Sequence, residues 1–374
     1  MKKSNTKLTA ILIASGILFV ILVKFILPSY TIPTPSMEKS FLVGDVLYSS
    51  KLNYGVRLPF CTLRLPGTQK VERGDIVIFN SPACDTIIEE KPERSYYDLC
   101  REMAYQLRMS GRRTSDIRQE MKESGYHIKT NSVPNREPYL KRCVALPGDK
   151  LEIRNGVMYI NDRIYPRPEN AYLPYQLDFG DSAVITEEYA NKIMQDYGAE
   201  LLGQQSHNRL VFRMTRANAD KLKSAEKTKS VLPFYYPTDT RMFPVANIFP
   251  NDFQYYNWNV DNFGPITIPK KGMTLQLNDS TLCQYRRLIG VYEGNKLEQK
   301  GDKIYINSAP ATTYTCQMDY YWMNGDNNHN SLDSRFFGFV PEDHILAKPL
   351  LILCSIDKNN GSIRSGRTLV PIAK

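Results

Sequence analysis

Between Leu8 and Pro28 the chain reads LTAILIASGILFVILVKFILP, an apolar run with one interior charge, Lys24. A run of about 20 apolar residues matches the roughly 30 Å hydrocarbon core of a bilayer. Lys24 lies near the far end, where its stem can carry the charge to the interface. Lys2, Lys3 and Lys7 precede the run, and positive charge is retained on the cytoplasmic side. Residues 1–7 are therefore expected in the cytoplasm, 8–28 as a transmembrane anchor, and the rest on the extracytoplasmic side of the inner membrane. A cleavable leader would have an apolar stretch of about 7–15 residues ending at a small-x-small site. Here the run is longer and continues into Ser29-Tyr30-Thr31-Ile32-Pro33. The other apolar run, Leu350–Cys354, is too short to span and reads as a buried strand.

Ser36 follows about eight residues later, in Ile32-Pro33-Thr34-Pro35-Ser36-Met37. At roughly 3.3–3.6 Å per residue, eight residues carry its hydroxyl no more than about 30 Å from the membrane face. A hydroxyl tethered there acts on bonds at the bilayer surface, which points to membrane-surface proteolysis.

Composition is globular, with 42% hydrophobic residues. The net charge of +9, from 48 basic and 39 acidic residues, suits anionic lipid headgroups. No basic run interleaved with stacking aromatics marks a nucleic-acid site. The seven cysteines include no Cys-x-x-Cys pair, and the four histidines do not cluster, so no metal site is expected. The odd cysteine count leaves at least one unpaired within a monomer, and spacing alone cannot choose pairs among the rest.

Asp45–Tyr48 and Asp75–Phe79 follow Gly-Asp turns and read as strands. Residues 84–135 interrupt this pattern. Leu99, Met103 and Leu107, then Ile117 and Met121, predict two short helices capped by Ser95 and Thr114. Strands return at Cys143–Leu146, Leu151–Ile153 and Val157–Ile160, the last two joined by an Asn155-Gly156 hairpin turn. Residues 164–262 are rich in proline and tyrosine. Helices are predicted near 186–197 and 215–226, capped by Thr186 and Thr215. The aromatic runs Phe234-Tyr235-Tyr236 and Tyr255-Tyr256 read as packing rather than a peptide-binding face. Strand-like alternation resumes around Ile266, Leu275, Ile304–Ile306 and Phe337–Ile345. The expected plan is mostly β: a coiled antiparallel core from 29–163 and 263–374, with a helical insertion at 84–135 and a non-catalytic α/β insertion at 164–262.

A serine hydroxyl needs a base, and the histidines are poorly placed in sequence. His329, between Asp326 and Asp333, is expected to be a solvated loop residue rather than part of a Ser-His-Asp set. Lys141 is the better base, on a strand-like stretch with Tyr139 and Cys143 as alternation partners. To act it must be neutral, and bringing its pKa from about 10.4 toward 8 takes about 3 kcal/mol, within the reach of burial.

Four blocks resemble those of bacterial type I signal peptidases, in that family's order. They are Pro35-Ser36-Met37 with Gly44-Asp45; Arg73–Phe79; Tyr139–Asp149; and Gly325-Asp326-Asn327 through Ser331–Pro341. The resemblance implies a membrane-bound serine endopeptidase that removes signal peptides from exported preproteins at small-x-small sites, with no cofactor. It makes Ser36 the nucleophile, Lys141 the general base, and the Ser36 N–H and Thr34 hydroxyl the oxyanion hole. It makes Ser331 the residue that orients the lysine, Asp333 and Arg335 an ion pair beside the site, and Asp326 part of the adjoining turn. Ile32, Met37, Phe41 and Leu140 fall where the family lines its small-residue pockets. The chain departs from the family at Lys39-Ser40 and at Asn328, where Pro-Thr and arginine are usual. A monomer is expected. The competing readings are a catalytically silent envelope scaffold of the same fold and a self-cleaving Ser/Lys repressor; the latter would need a DNA-binding domain that is not visible.

Overall fold

The computed structural model describes residues 14–16, 19–20, 23–38, 40–58, 63–112, 116–167, 171–181, 184–224, 228–238, 248–252 and 254–372. Much of the expected anchor lies outside these. Its described parts are helical at 14–16, 19–20 and 23–26, and no described helix is long and apolar enough to cross a membrane.

The central element is the strand Ile76–Asn80, buried on both faces, which explains why Ile-Val-Ile-Phe shows no alternation. It is the middle of a curled antiparallel sheet ordered Ser29–Thr31, Asp45–Ser50, Ile345–Ser355, Ile76–Asn80, Pro138–Ala145, Tyr320–Asn324 and Val340–Pro341. Three Gly-Asp turns feed this sheet and its neighbour. Gly44, Gly74 and Gly148 have φ of 95°, 92° and 90°, conformations that other residues rarely adopt. In each turn the aspartate carboxylate accepts the N–H three residues earlier: Leu42 to Asp45, Glu72 to Asp75 and Leu146 to Asp149, at 2.7–2.9 Å. A cation secures each carboxylate, respectively Arg367, Lys348 and Arg73.

Lys150–Arg154 and Val157–Ile160 form the expected hairpin, with Asn155 and Gly156 both at positive φ. This hairpin packs on the largest apolar cluster, centred on Trp322, Phe263, Phe249 and Phe339. From 172 to 233 the order is strand, helix, strand, strand, helix, strand: Tyr172–Asp178, Glu187–Tyr197, Glu200–Ser206, Arg209–Thr215, Arg216–Lys223 and Ser230–Pro233. Its sheet runs second, third, first, fourth, a split β-α-β arrangement with its own core around Phe212, Leu177, Ile193 and Leu222. Thr186 and Thr215 cap its helices by accepting the N–H groups of Tyr189 and Asn218. The 84–135 segment holds helices Tyr96–Met109 and Ile117–Glu123.

Several expectations are corrected. Asp116, rather than Thr114, caps the second of these helices by accepting from Gln119 N–H at 3.0 Å; Thr114 lies outside the described residues. Ser95 stands at the first cap position without a side-chain bond. A helix at Asp279–Arg287, opened by an Asn278/Thr281 capping box, fills the interval left unassigned between the strand segments expected at Leu275 and Ile304–Ile306. Phe337–Ile345 is not one strand. Gly338 turns the chain at φ 80° after a short helix, Ser334–Phe337. Leu350 and Leu353 point outward from their strand, 38% and 40% exposed, while Ile352 is buried; that run has one buried face rather than two. The six described cysteines are free thiols, and Cys61 lies outside the described residues.

Candidate functional site

Ile32 is pinned to the Gly44-Asp45 turn by two backbone hydrogen bonds, Ile32 N–H to Asp45 O and Gly44 N–H to Ile32 O. The chain then passes through Pro33 and Pro35 into one 3-10 turn, Pro35–Met37. Two prolines in three residues leave little torsional freedom, so Ser36 is presented by a stiff segment. Lys141 comes from the strand Pro138–Ala145, opposite Val77. On the other side Tyr320–Asn324 joins that strand only from Arg142 onward. Among the described residues, no strand pairs with Pro138–Lys141 on that edge, so it borders a cleft.

There the Lys141 amine lies 2.7 Å from Ser36 Oγ and donates to Leu140 O at 3.0 Å. Lys141 is 4% and Ser36 8% exposed. Burial brings the lysine pKa down to about 8, against the opposing pull of Asp333 and Asp326. Near that pH much of the amine is neutral, and its lone pair can accept the Ser36 proton. Thr34 Oγ1 stands 3.4 Å from Ser36 Oγ. The Tyr139 ring, wedged between Phe79 and Phe337, lies 5.5 Å from the amine.

The cleft encloses about 640 Å³ and is lined by Ile32, Met37 and Leu140 together with Ser36, Lys141 and Ser331. Phe41 does not reach it. The turn after Met37 drives Phe41 inward, into a cluster with Met37, Leu47 and Ile352, so it backs the wall. Ile78 and Tyr139 also line the cleft; the sequence reading missed them, although strand alternation around Lys141 held the signal.

The fourth block folds around the Ser36–Lys141 contact. Asp333 and Arg335 form a fully buried bidentate pair, with bonds of 2.9 and 2.7 Å. Asp333 also accepts the Gly325 N–H at 3.1 Å. Asp326 is clamped in the same way by Arg142, at 2.9 and 2.8 Å. Arg142 was not singled out from sequence, where it is simply the neighbour of Lys141. Asn327 ties the loop to the Ser36 turn, through its N–H to Ser36 O and its side chain to Pro35 O, both at 3.1 Å. The Ser331 hydroxyl faces the cleft, is buried and has no hydrogen-bond partner; the bond to Lys141 that the resemblance suggests is not formed here. His329 is not solvated. Its side chain is 7% exposed and pairs with Asp261 at 3.0 Å, rather than with Asp326 or Asp333.

At Gly325, beside the site, a side chain cannot be accommodated. A Cβ there would meet Ser331 Oγ at 2.1 Å and Ser36 O at 2.6 Å. Gly325→Ala is expected to cost about 1–3 kcal/mol through overpacking and to displace both serines. The check is a denaturant melt beside a cleavage assay, and a variant with wild-type values in both would contradict this close packing.

A family profile described as "Signal peptidase, peptidase S26" matches residues 5–223 and 310–354. The chain is similar to Signal peptidase I of Buchnera aphidicola subsp. Acyrthosiphon pisum, 22% identical over 91% of this chain and 73% of that protein. Signal peptidase I of Buchnera aphidicola subsp. Baizongia pistaciae is also 22% identical, over 91% and 74%. Signal peptidase I of Rickettsia massiliae is 28% identical over 45% of this chain and 49% of its own. The profile covers well over half the chain, including the segments that carry Ser36, Lys141 and Ser331. The chain belongs to the signal peptidase family, as a hydrolase of the type I class.

Proposed function

We propose that the protein is anchored in the inner membrane by residues 8–28 and removes signal peptides from exported preproteins by a Ser36/Lys141 dyad on the extracytoplasmic side. The observation that carries this reading is the buried 2.7 Å contact between Ser36 Oγ and a lysine amine whose pKa burial has lowered to about 8. The free edge at Pro138–Lys141 suits an extended peptide added as a further strand, which would set its scissile carbonyl over Ser36. Ile32, Met37 and Leu140 would close around the small side chains before the bond.

Neutral Lys141 takes the proton from Ser36 as Oγ attacks the carbonyl. The oxyanion is held by the Ser36 N–H and the Thr34 hydroxyl. Protonated Lys141 gives its proton to the departing amine, which frees the mature protein, and then draws a proton from the water that hydrolyses the acyl-enzyme. Each step uses groups of the chain, the substrate and one water.

The test is cleavage of a purified precursor in detergent, with wild type beside Ser36→Ala. Cutting after a small-x-small site by wild type alone is the expected result. Cutting by Ser36→Ala would reject the nucleophile, and failure of folded wild type to cut several precursors would reject the activity. Thr34→Val keeps the shape and removes the hydroxyl, so kcat should fall about 100-fold with KM little changed. Unchanged kcat would remove Thr34 from the oxyanion hole.

A further inference from the structure

The proposed mechanism leaves one buried pair beside the cleft unused. His329 stands in the loop 325–331, two residues before Ser331, and its Nε2 lies 3.0 Å from Asp261 Oδ2. Asp261 is fully buried and comes from the end of the 164–262 insertion, far from the loop in sequence. The same carboxylate oxygen accepts the Tyr236 N–H at 2.9 Å, and the Tyr236 ring packs on the imidazole with centroids 5.6 Å apart. The loop's regular structure is a single 3-10 turn, Asn328–Asn330, so side-chain ties decide where it sits. On one side Asn327 binds the Ser36 turn. On the other, Arg335 donates to Asn328 O and to Val260 O, the residue before Asp261.

We infer that His329 and Asp261 act as a positioning latch, by which the insertion holds the Ser331 loop against the Ser36 turn and so keeps the nucleophile and its lysine in line. The inference rests on the Ser36/Lys141 reading. His329 Nδ1 and Asp261 Oδ1 are both buried without partners. Such atoms are rare in folded proteins because each is costly; here they flank the one bond that joins His329 to Asp261 across two distant segments. His329 also lines the cleft that holds Ser36 and Lys141. Opening the latch would admit water toward Lys141 and relieve the burial that keeps the amine neutral. The charged groups around these residues are Asp333 and Asp326 near Lys141, and Arg335 and Arg167 near Asp261.

The test uses the full-length protein in detergent with a signal-peptide substrate, and measures kcat, KM and the pH midpoint of the rise in activity. His329→Phe keeps a ring against Tyr236 and loses the donor. It should lower kcat about tenfold or more, as small misplacements do, leave KM within about threefold, and move the midpoint upward by about half a unit. His329→Gln offers an N–H close to the Nε2 position and should restore both readouts. Asp261→Asn, a weaker acceptor, should fall between them and serves if His329→Phe fails to fold. Wild-type kcat and midpoint in His329→Phe or Asp261→Asn would overturn the latch, as would a glutamine variant no better than phenylalanine. Lys141→Ala runs alongside: if it cleaves at the wild-type rate, the dyad reading fails whatever His329 does.

Discussion

Lys141→Ala should lose precursor cleavage by about 1,000-fold or more, the scale seen when one member of a nucleophile–base unit is removed, and should still fold. Among the described residues the amine makes two hydrogen bonds, to Ser36 Oγ and Leu140 O, so removing it breaks no larger network there. The pH dependence follows from the same group. The base form predominates above a pKa of about 8, so kcat/KM should climb through that value and be about tenfold lower one unit below it. Stability depends on the same group and also rises with pH. The folded state lowers this pKa from its unfolded value of about 10.4, so at neutral pH the unfolded chain binds the extra proton more readily. Stability is therefore reduced below pH 8 and recovers as pH rises from about 8 to 10.4. Lys141→Met should be inactive yet more stable at pH 7, by up to about 3 kcal/mol, with the gain fading between about pH 8 and 10.4. Denaturant melts of both proteins at pH 7 and pH 10 measure this. Equal stability at pH 7 would mean that the lysine is not held against its charge.

Arg335→Met should be the most destabilising change near the site. Both partners of the Asp333–Arg335 pair are fully buried, and removing one leaves an uncompensated charge at a cost of about 3–5 kcal/mol. Domains commonly have about 5–15 kcal/mol in total, so much of the protein should be unfolded at 37 °C. The loss reaches the site directly, because Asp333 accepts the Gly325 N–H and caps the helix Ser334–Phe337. Adding Asp333→Asn should recover part of the stability, since the second change removes the stranded charge. A loss under about 1 kcal/mol in the single variant, the scale of an exposed pair, would show that water reaches this pair.

Much of the core was legible because its signals are local. Gly-Asp turns, the Asn155-Gly156 hairpin and the threonine caps at 186 and 215 each fix a few torsions with residues adjacent in sequence. Ser36 and Lys141 were found through motif spacing, and the structure brings them together across 105 positions. What escaped depends on distant partners. Arg142 looks like any strand arginine until Asp326 folds onto it. His329 looks like a solvated loop residue because its partner lies 68 positions earlier. Phe41 was assigned to the cleft because motif position says nothing of which way a turn directs a ring. The helix at Asp279–Arg287 went unread between the strand segments at Leu275 and Ile304, although Asn278 and Thr281 spelled out its cap.

The split β-α-β unit at 172–233 has a consequence for how such a chain could have been assembled. Its first and last strands are sheet neighbours, with Tyr175 opposite Pro233 and the Phe234 N–H bonded to Pro174 O. The chain thus leaves the unit beside the point where it came in. A cassette with adjoining ends and a private core can be gained by a loop without stretching the host's strands.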